Sequence, residues 1–273
     1  MKTKALKEPM QAVHFVPAYL LNPTNPIVVN LIGAGGTGSH MLTALVKMNE
    51  ALNCMGHPGL HVRVFDDDIV SEANLGRQLF FRPEVGLYKS VAIVNRINRA
   101  FGTSWKAVCE RYGDNVSDRN CLRASITISC VDTVDARVEI ANILSSFSKS
   151  GKYYSRDASF YWLDFGNSKE TGQAILATVG TIEQPKSRKF KTVGKLQFVT
   201  EEFGALLRES ETNDNTPSCS LAEALEKQDL FINPALANIG ASLLWQIFRE
   251  GMICDRGFFM NLKTFRTQPL KVA

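Results

Sequence analysis

The sequence predicts an α/β protein built on a mostly parallel sheet flanked by helices, with additional antiparallel strands toward the C-terminus. Three observations carry that prediction. Short β-branched runs at Ile27–Ile32, Leu60–Phe65, Ala124–Cys130 and Tyr161–Phe165 alternate with longer stretches of helical periodicity. The first run enters a glycine loop, Gly33-Ala34-Gly35-Gly36-Thr37-Gly38, ahead of a helical segment. The second run ends in three aspartates, Asp66, Asp67 and Asp68, at the edge where open parallel sheets hold their ligands. Strand, glycine loop, helix, strand and carboxylate in that order make the sheet Rossmann-like.

In chain order, residues 1–25 read as an irregular N-terminal arm, with His14 an ordinary surface or packing residue. Residues 26–170 read as the ligand-binding domain, and residues 171–273 as an extension of it. Ser39–Leu52 is the first helix, because Met41, Leu42, Leu45, Val46 and Met48 fall on one face. Cys54, His57 and His61 have a spacing that holds metal, but Gly56, Pro58 and Gly59 among them favour a plain loop. After a polar connection, Gly86–Ala100 is a second helix carrying Val91, Ile93, Val94 and Ile97. Lys89 stands in its first turn, against the helix dipole, an arrangement that suits an anionic ligand, with a solvated lysine as the alternative. Ser104–Cys109 is a strand, Asp118–Leu122 a short helix and Ala136–Phe147 a longer one. The Tyr161–Phe165 strand runs out at Asp164-Phe165-Gly166-Asn167.

The last hundred residues change in texture. Gln173–Val179 is a strand. Thr181–Lys195 is basic (Lys186, Arg188, Lys189, Lys191, Lys195) and reads as a solvated loop or hairpin tip, with partner docking as the alternative. Phe203–Arg208 is weakly helical, Glu211–Pro217 turn-rich, Leu221–Lys227 a short helix, Asn233–Glu250 a long apolar helix, and Phe258–Phe265 a last strand.

Bulk properties narrow the class. A chain of 273 residues with 45% hydrophobic and 21% charged residues has the make-up of a globular domain. A net charge of +4 is too small to indicate nucleic acid and fits an anionic small ligand. Six scattered cysteines with no CxxC pair argue against a zinc ribbon or a disulfide framework and fit reduced thiols. Neither a signal peptide nor a membrane span is legible, so the expected location is the cytoplasm.

The glycine loop alone admits both a dinucleotide and ATP. It offers backbone amides and a helix N-terminus to phosphates, and the following acid offers itself to ribose hydroxyls. The next segment shifts the balance. Asp66 and Asp68 are followed by Asn74, Arg77 and Gln78, then Lys89, within one loop and one helical turn. Arginine and lysine suit a triphosphate, and carboxylates suit its magnesium. Asp132, at a neighbouring strand end, is placed to complete a metal site.

The segments GAGGTGSH, FDDDIVSEANLGRQ, Gly86-Leu87-Tyr88-Lys89 and ISCVDTVDAR, in that order, resemble the adenylation domain of the ThiF/MoeB/E1 (HesA-like) superfamily. The resemblance implies that Gly33, Gly35, Gly36 and Gly38 line the nucleotide loop and that Asp66 takes the ribose hydroxyls. It implies that Asp68, Asn74, Arg77 and Gln78 surround the phosphates, that Lys89 stabilises their charge, and that Asp132 holds Mg²⁺. The activity implied is ATP-dependent adenylation of the C-terminus of a ubiquitin-like (β-grasp) or sulfur-carrier protein. Pro217-Ser218-Cys219-Ser220 is similar to the thioester segment of E1 enzymes, which makes Cys219 a candidate acyl carrier. The superfamily's paired CxxC motifs are absent, so no zinc is expected, and no arginine-rich RYxRQ-like segment precedes Pro26. Among bacterial variants the chain is most similar to the ThiF-related protein of the plasmid-borne PRTRC cassette, which implies a ubiquitin-like partner and an E2-like neighbour. Relatives are commonly homodimers. An NAD(P)-dependent oxidoreductase and a non-catalytic nucleotide-binding scaffold remain the alternatives; the first leaves Arg77, Lys89 and Asp132 without a joint role.

Overall fold

The computed structural model describes residues 10–148, 158–211 and 228–273. An eight-stranded sheet runs through the molecule in the order β11-β10-β7-β6-β5-β2-β3-β4. Its parallel part comprises β2 (Ile27–Ile32), β3 (Leu60–Phe65), β4 (Lys106–Val108), β5 (Ile126–Ser129) and β6 (Tyr161–Asn167). Antiparallel β7 (Thr171–Thr178), β10 (Asp255–Asn261) and β11 (Arg266–Lys271) extend the β6 edge. The fold is therefore mixed α/β, mostly parallel at its centre, with antiparallel strands toward the C-terminus.

Helices α2 (Gly36–Cys54), α3 (Lys89–Phe101) and α7 (Ile232–Glu250) cover one face. Helix α4 (Val134–Ser148), short α5 (Val199–Glu202) and α6 (Gly204–Glu211) pack against the other. Buried on both faces, β2 is apolar nearly throughout, the pattern expected of a central parallel strand. Its one polar residue, Asn30, donates to the carbonyls of Cys121 and Leu122 at 2.9 and 3.0 Å, tying the short helix Arg119–Leu122 to the sheet. Helices α3 and α7 end at Gly102 (φ 67°) and Gly251 (φ 66°), whose left-handed backbone stops each helix.

Several elements differ from their sequence-based readings. Helix α2 starts at Gly36, not Ser39. Four glycines in the six residues 33–38 hide the helical start, which close packing rather than propensity enforces. Helix α3 begins at Lys89, because Gly86 sits at φ +91°, outside the helical region. The stretch expected as one strand at 258–265 is the end of β10 and the turn of a hairpin: β10 ends at Asn261, and β11 begins at Arg266. The N-terminal arm is not irregular throughout. Ala12–Phe15 forms β1, parallel to β8 (Lys191–Thr192) and antiparallel to β9 (Met252–Ile253), and Ala18–Leu21 forms the single turn α1. The basic 181–195 stretch is otherwise irregular. Residues 212–217, the segment with Cys219 and the helix expected at Leu221–Lys227 lie outside the described residues.

His14 on β1 is a fully buried packing residue. Its Nδ1 lies 2.7 Å from the Val193 carbonyl and its Nε2 2.7 Å from the Tyr161 hydroxyl, so the neutral ring bridges β1, the 181–195 stretch and the main sheet. Burial lowers its pKa below the ordinary 6.5. The unfolded chain then binds this proton more readily than the folded one, so stability falls as pH drops below about 6.5. His40, also lowered by burial, acts in the same direction. Asp66 and Asp164, both raised by burial, act oppositely, but only as pH approaches the carboxylate range. Thermal unfolding followed from pH 7.5 to 5.5 should show a falling midpoint, with a shallower fall in His14→Gln. An unchanged slope in that variant contradicts the assignment.

Among the described residues no helix is long and apolar enough to cross a membrane. Among the same residues no group of three or more His, Cys, Asp or Glu is placed to hold a metal. His57 of the Cys54/His57/His61 cluster is engaged locally: one ring nitrogen accepts from the Gly59 amide (3.0 Å) and the other faces the Leu20 carbonyl (3.1 Å).

Candidate functional site

The carboxyl ends of β2, β3, β5 and β6 open onto a cavity of about 250 Å³, near the lower end of small-molecule sites (~300–1,000 Å³). Its floor is the β2–α2 turn. Gly33 has φ +87°, and a Cβ there would lie 2.8 Å from the Cys130 carbonyl oxygen, so glycine alone lets β2 turn this tightly beside β5. Helix α2 starts at once, and Gly35, Gly36 and Thr37 at its start, where amides lack intrahelical acceptors, line the cavity.

Asp66 leaves the end of β3. Its Oδ2 accepts from the Ala34 amide at 2.6 Å, and its Oδ1 from the Asp68 amide at 3.0 Å. These bonds join the acid to the glycine loop and leave further lone pairs for a ligand's hydroxyls. Burial raises its pKa, against the pull of the Ala34 amide and Lys89. Lys89 is buried at the first position of α3. Its Nζ donates to Asp68 Oδ2 at 2.6 Å, and its own amide to the Asp68 carbonyl at 2.9 Å. Arg77 and Gln78, from the β3–α3 connection, line the same cavity. Asp132, from the turn after β5, is exposed and also lines the cavity.

Nine of the residues singled out in the sequence therefore meet in one cavity: Gly33, Gly35, Gly36, Asp66, Asp68, Arg77, Gln78, Lys89 and Asp132. Gly38 is not on its surface. It lies inside the first turn of α2, where a Cβ would meet the Gly33 carbonyl oxygen at 1.8 Å. Asn74 is not on it either. Its side-chain oxygen accepts from the Ser71 amide (2.8 Å) and hydroxyl (3.1 Å), so it shapes the connection that carries Arg77. Cys219 lies outside the described residues.

The cavity also draws residues that sequence reasoning missed. Thr37, Cys130, Val131, Phe165, Asn167, Gln228 and Asn233 complete the wall. Asn167 and Asn233 had a signal available, since one ends a parallel strand and the other opens a long helix; Gln228 had none. Asn233 Oδ1 accepts from the Thr37 hydroxyl at 2.9 Å and from Asn167 Nδ2 at 2.8 Å. Its Nδ2 donates to Gln228 Oε1 at 2.9 Å, and that oxygen also accepts from Arg77 Nη1 at 2.8 Å. The amide chain ties α7 to both the glycine loop and the arginine. Burial pushes the Cys130 thiol far up, which disfavours its thiolate.

Beneath the cavity, Arg137 of α4 holds the loops in place. It donates to the carbonyls of Val131 (2.6 Å), Thr133 (3.2 Å) and Phe165 (2.9 Å), and its Nε pairs with buried Asp164 at 3.1 Å. The turn carrying Asp132 is thus anchored on both sides of that residue.

Two buried polar atoms on the cavity wall, Arg77 Nε and Gln78 Oε1, have no partner among the described residues. Such atoms cost stability unless a ligand or water satisfies them. One unpaired donor on a cation, one unpaired acceptor, a helix N-terminus and an exposed carboxylate fit a polyanion with hydroxyls and an associated cation.

A parallel sheet with a glycine turn, an acid at the next strand end and this cleft define a Rossmann-like protein with an anion-compatible site. Within that class the chain belongs to the ThiF family, which it matches over residues 24–249. No curated protein matches the sequence. Among solved structures, PaaA in its selenomethionine form superposes with a TM-score of 0.58 at 14% identity, over 90% of this chain and 73% of that one. MccB from E. coli gives a TM-score of 0.56 at 13% identity, over 92% and 63% respectively. The structure of MccB with ATP gives 0.54 at 14%, over 92% and 64%. At these identities the likeness is one of fold, and the chain spans less than two-thirds of MccB.

Proposed function

We propose that this protein binds Mg·ATP in the cavity and uses it to adenylate the C-terminal carboxylate of a small ubiquitin-like or sulfur-carrier protein. The observation that carries the reading is the convergence of Arg77, Gln78, Lys89 and Asp132 on the glycine loop, with Arg77 Nε and Gln78 Oε1 unpartnered. Family membership supports it. So does the fold shared with MccB, which has been solved with ATP and with MccA.

In this reading, the α2 amides and Arg77 cradle the phosphates, and Asp66 receives the ribose hydroxyls. Lys89, fixed by Asp68, neutralises charge. Asp132 would hold Mg²⁺ together with phosphate oxygens, and the ion would supply further charge neutralisation. One or two carboxylates suffice for that ion, so a larger acidic cluster is not needed. The substrate carboxylate is already anionic and needs no general base. Its oxygen attacks the α-phosphorus, the bond from that phosphorus to the pyrophosphate oxygen breaks, and pyrophosphate leaves. The protein's task is to align the two anions and stabilise the departing charge.

Residues 26–170 form the adenylation unit in this scheme, and residues 171–273 extend it with Gln228 and Asn233. A homodimer, an E2-like partner, a PRTRC-type setting and a cytoplasmic location belong to the same proposal. Calorimetry with ATP and NAD side by side tests the nucleotide: ATP should bind with Mg²⁺ and NAD should not. Tight NAD binding without ATP binding makes the chain an oxidoreductase instead. Partner-dependent exchange of pyrophosphate into ATP tests the chemistry, and its absence with every small Gly-Gly-terminated candidate leaves a nucleotide-binding scaffold.

Cys219 is proposed as the second station. Its thiolate would attack the acyl carbon of the adenylate, forming the thioester while AMP leaves. Cys219→Ala should leave exchange intact and abolish the thiol-sensitive conjugate seen on non-reducing gels. A conjugate that survives the change removes Cys219 from the scheme.

A further inference from the structure

Arg77, half-buried, is held differently from three other arginines of the chain. Arg96 is paired with Glu84, Arg137 with Asp164 and Arg256 with Glu202. Among the described residues Arg77 has no carboxylate partner; its Nη1 is fixed by the neutral amide oxygen of Gln228 at 2.8 Å. Gln228 is itself set by Asn233, whose Nδ2 donates to the same oxygen at 2.9 Å. With two donors converging on it, Oε1 is the atom turned toward Arg77. Asn233 is locked in turn by Thr37 and Asn167, which both donate to its oxygen.

A guanidinium can be oriented by a carboxylate or by a neutral acceptor. A carboxylate orients it more strongly but cancels its charge and competes with an incoming anion. A neutral amide orients it and leaves the charge available. The remaining edge of Arg77, including the unpartnered Nε, then stays free for phosphate oxygens.

We propose that Gln228, backed by Asn233, is the positioning residue that keeps Arg77 aligned and uncompensated for the nucleotide's phosphates. The neutrality of residue 228 is the functional requirement, and Glu in its place is damaging although it is the better acceptor. The inference rests on the reading of the cavity as an ATP site.

The test measures Mg·ATP binding by calorimetry and thermal unfolding on the full chain, with Gln228→Glu, Gln228→Leu, Arg77→Ala and the Arg77→Ala/Gln228→Glu double variant. A merely structural residue predicts that Leu, which loses both hydrogen bonds, does more harm than Glu in both assays. We expect the order to split: Leu lowers the unfolding temperature more, whereas Glu weakens ATP binding more, by at least tenfold. In the Arg77→Ala background the Glu change should add little. The proposal is overturned if Glu binds ATP as well as Leu does, or if Glu weakens binding equally with and without Arg77. If Arg77→Ala itself leaves ATP binding unchanged, the ATP reading of this wall fails first, and the role of Gln228 fails with it.

Discussion

Arg77→Ala and Asp132→Ala will each lower partner-dependent ATP–pyrophosphate exchange by roughly 10²–10³-fold, the usual cost of removing one preorganised group from a developing charge. Arg77 is the stronger case. It is half-buried and its burial is unfavourable, since desolvation pulls its pKa down. A guanidinium kept in such a place without a carboxylate is stabilised best by an anionic ligand. Alanine removes the charge and leaves Gln228 Oε1 with one donor fewer. Asp132 differs in being exposed, so its removal barely touches stability and isolates its role in metal-dependent chemistry. Raising Mg²⁺ should recover part of the loss in Asp132→Ala and none in Arg77→Ala. Exchange that survives both changes at near wild-type rates would falsify the placement of the phosphates.

Gly38→Ala should be the most destabilising single-methyl change in the molecule's functional half, at about 3 kcal/mol or more, and should eliminate nucleotide binding with it. Its Cβ would stand 1.8 Å from the Gly33 oxygen and 2.8 Å from the Gly33 carbonyl carbon. Both obstacles are backbone, so no side chain can swing aside. The loop must open, and opening it breaks the turn that Gly33 makes beside Cys130 and the amide that Ala34 gives to Asp66. Gly204→Ala is the control. It stands at the start of α6 with open space around its Cβ and ordinary φ. That change should be neutral or add up to about 1 kcal/mol by restricting the unfolded chain. Chemical denaturation of the two variants measures the contrast, and a Gly38→Ala protein as stable as the control is incompatible with the loop described.

Much of this was legible beforehand, for identifiable reasons. β2 and β3 have the boundaries read from the sequence because each is a short β-branched run ended by a glycine or an aspartate. The convergence of Asp66, Arg77 and Lys89 was approachable because they follow one strand within a single connection. Asn74 misled, because a polar residue in a polar loop looks the same whether it faces a ligand or its own turn. The early start of α2 was hidden, because helix propensity counts glycine as a breaker where tertiary packing requires it.

By itself the sequence determined the alternation of strands and helices, the glycine turn and the cluster of charges behind β3. These are local matters, set by side-chain periodicity, backbone freedom and residues close in the chain. Only the tertiary structure decided that Asn167, Gln228 and Asn233 join that cluster, that Asn74 leaves it, and that Arg77 is oriented by an amide. Those outcomes depend on where β6 and α7 land relative to α2. Hydrogen bonds between residues as far apart as Thr37 and Asn233 leave no periodic trace along the chain.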